Sequence, residues 1–68
     1  MIDVARGHAH RADDPAAVAT LLKAEQLAPE EVRYNPIASE LVLLLLKRER
    51  RAATPGLRDL TARIGVVA

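Results

Sequence analysis

Two imidazoles two residues apart, in "GHAH" from Gly7 to His10, are the first side chains here that could do chemistry. An extended chain would put His8 and His10 on one side. With Asp13 and Asp14 close behind, they would offer the nitrogen and carboxylate ligands that suit zinc or nickel. The spacing matches no recognised metal site, and it lies near a chain end, where segments are commonly loose. Solvated histidines and no bound metal are the expectation. Nucleophiles are scarce: cysteine is absent, Ser39 is the lone serine, and the threonines are Thr20, Thr54 and Thr61. Glu25, Glu30 and Glu31 would be the carboxylates for acid–base work, but their spacing singles out no pair. Gly7, Gly56 and Gly65 are too scattered for a phosphate loop. A sizeable substrate pocket also fits poorly into so short a chain. The reading is of a protein that is not an enzyme and needs no cofactor.

A second group is basic. "KRERR" supplies Lys47, Arg48, Arg50 and Arg51, and Arg58 and Arg63 follow in sequence. Such a cluster can meet nucleic-acid phosphates. Cations in a last helical turn also complement the helix dipole, and arginines at the edge of a protein interface are a third reading. The dipole role is the expected one. The formal charge of +1 gives no global field toward nucleic acid.

The elements that must position these residues are marked by proline. Pro15, Pro29, Pro36 and Pro55 each suit a first helical turn, where a missing N–H costs nothing. Asp14, Asn35 and Thr54 precede three of them as N-cap residues. The spacing predicts an all-α fold, a small three-helix arrangement over roughly 15–27, 36–52 and 55–64. A helical turn is expected near 29–33, and Gly65 acts as a stop. Residues 1–14 read as a mobile N-terminal arm and 15–68 as one small helical domain. At about 100° per residue, Leu57, Leu60 and Ile64 share a face of the last helix. In the first, Ala17, Val18, Leu21 and Leu22 do so. Glu25 extends that face, and the expected outcome is a solvated helix end, the other option being an arginine partner.

The middle helix carries "LVLLLL", Leu41 to Leu46. Ile37, Ala38, Leu41, Val42, Leu44, Leu45 and Leu46 span an arc of roughly 200°, which two neighbouring helices would mostly cover. Leu43 falls outside it, in a stripe with Ser39, Leu46 and Arg50. The apolar run from Ile37 to Leu46 includes Glu40 and is half the ~20 residues a membrane helix needs. The N-terminal "MIDVARGHAHRADD" is too polar for a signal peptide, so a soluble, cytoplasmic protein is expected.

"TPGLRDLTARIGVVA", Thr54 to Ala68, resembles the first half of a bacterial helix-turn-helix motif. The capped start, the Leu57/Leu60/Ile64 face and Gly65-Val66 at the turn carry the likeness. In that family the helix after the turn reads bases in the major groove. The sequence ends three residues past Gly65, so no base-contacting role is carried over. "IDVARG" resembles the start of the small epsilon subunits of bacterial acyl-CoA carboxylases. That likeness spans six residues, lacks the family's tryptophan-bearing tail and assigns no family. "IDVA" and "IGVVA" are short and apolar enough to pair as strands, with loose ends as the commoner fate.

A domain of 68 residues buries only about 60% of the surface its unfolded chain exposes. With no disulfide available, association is the remaining support. The expected function is a small non-catalytic interaction or assembly module, a homo-oligomer or an accessory subunit docked on a larger protein. The partner-binding residues would be Leu43, Leu46 and Ser39, ringed by Arg48, Arg50 and Arg51. The alternative is a DNA-associated regulator using Lys47, Arg48, Arg50, Arg51, Arg58 and Arg63.

Overall fold

A computed structural model describes residues 1–49 and 54–65. The described residues form five helices: α1 (Ile2–His10), α2 (Asp14–Leu27), α3 (Pro29–Tyr34), α4 (Pro36–Lys47) and α5 (Leu57–Ile64). The all-α expectation holds. Pro29 and Pro36 stand in the first turns of α3 and α4. The Ile37 amide donates to Asn35 Oδ1 at 2.9 Å, the N-cap bond expected of Asn35.

Two starts differ by a residue or two from the sequence reading. At α2 the cap is Asp13, whose Oδ1 accepts from the Ala16 amide at 3.4 Å, and this releases Asp14 for another task. At α5, Thr54 and Pro55 do not open the helix. The Leu57 amide donates to the Thr54 carbonyl at 3.3 Å, and Gly56 has φ 84° and ψ −7°. That is a type II turn with proline and glycine in their preferred places, and it delivers Leu57 directly into the core. The middle helix ends at Lys47 with Arg48 as its C-cap; the rest of the span to 52, apart from Glu49, lies outside the described residues.

The larger correction concerns the N-terminus. Residues 2–10, read from sequence as part of an arm and as a candidate strand, form α1, with Ala5 and Ala9 buried. Ile2, Ala5 and Ala9 repeat at helical spacing, but two of the three are alanine and Gly7 interrupts them. The stop is also unmarked. The Ala12 amide donates to the Ala9 carbonyl at 3.0 Å and the Asp13 amide to the His8 carbonyl at 2.8 Å. These two bonds make a Schellman motif. Ala12 holds the left-handed position usually given to glycine, at φ 58°. The other terminal segment, "VVA" after Gly65, lies outside the described residues.

Side-chain contacts fix the chain's course. Arg48, at the end of α4, reaches the Ala9 carbonyl at the end of α1 and Asp14 at the start of α2. Arg58, early in α5, meets Glu49 just past α4, and Arg63, late in α5, meets Glu25 late in α2. Helices α1 and α4 therefore run one way and α2 and α5 the other, with short α3 across the end where α2 finishes. Helix α4 touches all four others. Leu21, Leu45, Leu57, Leu60, Val18, Val32 and Val42 are fully buried between them. The accessible surface is 4420 Å², close to the ~4200 Å² usual for a folded monomer of 7.4 kDa. The chain shelters its own core, so any case for a partner must come from the surface.

Candidate protein interface

Helix α4 turns Ala38, Leu41, Val42 and Leu45 inward. The direction midway between Ala38 and Leu45 marks the centre of its buried face, and Leu44 and Leu46 project about 100° to either side of Leu45. The neighbours decide which of these two is covered. Leu46 packs half-buried against the core cluster, whereas Leu44 is 40% exposed. Leu43 projects farthest from the core and is 36% exposed. The stripe expected from sequence is thus corrected: the open leucines are Leu43 and Leu44, and Leu46 is largely an internal contact. Ser39 is half-buried on the Leu46 side. Glu40 and Lys47, both exposed, lie between and beyond the two leucines. Beside Leu44 a shallow groove runs between α1 and α4, lined by Ala9, His10, Leu41, Leu44 and Arg48.

Arg48 borders that groove, and its guanidinium is engaged with α1 and α2. Arg48 Nη2 donates to Asp14 Oδ1 at 2.7 Å and to the Ala9 carbonyl at 3.2 Å. It satisfies a carbonyl in the last turn of α1 and binds three helices together. The sequence reading missed Asp14 here because its place before Pro15 made it look like a cap. Arg50 and Arg51 lie outside the described residues. Lys47 is exposed at the end of α4, where its charge complements the helix dipole.

The remaining cations of the nucleic-acid reading are also engaged. Arg58 Nε donates to both carboxylate oxygens of Glu49, at 2.9 and 3.2 Å. Arg63 grips Glu25 through Nε and Nη2 at 2.7 to 2.9 Å. That hydrogen bonding, and after it the nearby negative charge, raises the Arg63 pKa above its ordinary value. Glu25 is therefore no solvated helix end: its side chain is 13% exposed and takes the arginine partner. The pair crosses from α2 to α5, a contact between residues far apart in sequence.

The residues weighed for catalysis are dispersed. Thr20 and Thr61 donate their hydroxyls to the carbonyls of Ala16 and Leu57, each at 2.8 Å. Thr54 is buried beneath the turn before α5. Glu25 and Glu30 border one shallow groove with Arg33 and Arg63, while Glu31 borders another with Met1, Ile2 and Leu27. His8 and His10 fall about 200° apart around α1, so the one-sided geometry considered for a metal is replaced by a divergent one. His8 Nδ1 lies 3.3 Å from Arg11 Nη2. Among the described residues no cluster of three or more His, Asp or Glu is placed to hold a metal. No described helix is long and apolar enough to cross a membrane.

No known protein family, curated protein or solved structure matches this chain. The helix-turn-helix and epsilon-subunit likenesses therefore gain no support from whole-chain comparison, and the surface of α4 itself has to carry the functional reading.

Proposed function

We propose that the chain is a small non-catalytic interaction module that docks through the outer face of α4, as a homo-oligomer or as an accessory subunit of a larger protein. The observation that carries this reading is the adjacent pair Leu43 and Leu44, 36% and 40% exposed on the helix that touches all the others. A single exposed leucine is ordinary. Two side by side on a helix that packs against all the others make an apolar spot whose burial would return ~1 kcal/mol or more per side chain. The arginine cluster supports the DNA reading less well, because Arg48, Arg58 and Arg63 already hold carboxylates. Counterion release needs cations free to replace salt on phosphate.

The test is the native size of the untagged protein beside an L43E/L44E double variant. The expected result is a larger native assembly for the wild type that the variant loses while still melting cooperatively as a folded chain, since neither side chain is in the core. An assembly of unchanged size in the variant would sink the reading.

A further inference from the structure

The outer face of α4 presents Glu40, Leu43, Leu44 and Lys47, all exposed. This set is symmetric about the point between the leucines, except that its two ends carry opposite charge. Glu40 and Lys47 each lie three and a half residues from that point, about 5 Å along the axis at 1.5 Å per residue. Around the axis they diverge by only about 20°, and the leucines stand about 50° to either side of their common direction. Among the described residues neither Glu40 nor Lys47 has an ion-pair partner, whereas Arg48, Arg58 and Arg63 are taken up by Asp14, Glu49 and Glu25.

We propose that α4 pairs with α4 of a second copy of this chain, antiparallel about a two-fold axis passing beside Leu43 and Leu44. This rests on the reading of α4 as a docking face and names its occupant. In the antiparallel arrangement Glu40 of each copy faces Lys47 of the other, so both ends of the contact are matched. Leu43 meets the partner's Leu43, and Leu44 meets the partner's Leu44 beside the groove along α1. A parallel arrangement sets Glu40 against Glu40 and Lys47 against Lys47, and like charges oppose association. A two-fold contact has to be self-complementary, and an unrelated partner would impose no such symmetry on the sequence. One helix face falls below the size of a standard interface, so the dimer is a weak one that forms at high protein concentration.

Charge reversal of the full chain tests the geometry, read by sedimentation at about 1 mM, where even a contact of ~4–5 kcal/mol populates the dimer. The wild type is expected to sediment as a dimer. E40K alone and K47E alone should each be monomers, because each then opposes like charges at both ends. An equimolar mixture of these two chains should regain the dimer mass, and so should the E40K/K47E double variant. Circular dichroism melts of each chain at low concentration establish that the fold is intact. A monomeric wild type at this concentration overturns the self-pairing, and a dimer indifferent to the single reversals overturns the antiparallel register. If the wild type is monomeric yet L43E/L44E disrupts the native assembly, the self-pairing fails and the docking reading survives.

Discussion

The first and last helices of this protein are of similar length, nine and eight residues, and are held by opposite means. Helix α5 drives Leu57, Leu60 and Ile64 into the core and ends on Gly65 in the left-handed conformation. Helix α1 buries Ala5 and Ala9, has no side-chain cap at its start, and ends on an alanine forced to φ 58°. One is anchored by volume and one by close approach. Helix α1 packs chiefly against α2, whose buried residues also include alanines, Ala17 and Ala24. The two backbones come near each other in place of interlocking large side chains. Volume is visible in a sequence as a run of large apolar letters, whereas closeness is not.

The contrast can be broken most forcefully at α5. Leu60→Ala should cost about 3 kcal/mol of stability, a large fraction of what a domain this size has. The check is a urea midpoint that falls with an unchanged slope. At α1 the opposite change is the damaging one. Ala5 is fully buried, and Ala5→Leu should cost about 2 kcal/mol by forcing the helices apart; a leucine placed at the neighbouring exposed position, Val4→Leu, should leave the midpoint where it is. The smallest effect sharpens the comparison by repair. Ala12→Gly relieves the left-handed strain at the end of α1. It should stabilise by about 0.5–1 kcal/mol net of the freedom that glycine adds to the unfolded chain. Unchanged or lower stability would mean that Ala12 is not strained as described.

The same distinction explains which parts of the fold were legible in advance. Pro29 and Pro36 announced their helices because proline and helix start share one local constraint, and Asn35 capped α4 as its chemistry implies. Pro55 has the same constraint and served a different end, since proline before glycine also favours a type II turn. Helix α1 went unread because each of its signals is weak: alanines on the buried face, Gly7 inside, no cap, and no glycine at the stop. On the outer face of α4, Leu43 was legible from the wheel alone because it points away from any possible core. Leu44 and Leu46 were not, since each lies about equally far from the buried direction. Only the placement of the neighbouring helices uncovered one and covered the other.

What the amino-acid sequence determined alone is local: helical class, the starts of α3 and α4, the inward leucines of α4 and α5, and the balance of charges. These follow from backbone geometry and side-chain periodicity within a turn or two. Tertiary structure alone decided which acids meet which arginines, Asp14 with Arg48 and Glu25 with Arg63, across 34 and 38 residues of chain. It also left the two charges of α4, Glu40 and Lys47, without an ion-pair partner among the described residues. Ion pairing and exposure depend on distances between helices, and those distances are set by how the cores of all five pack together rather than by any short stretch of residues.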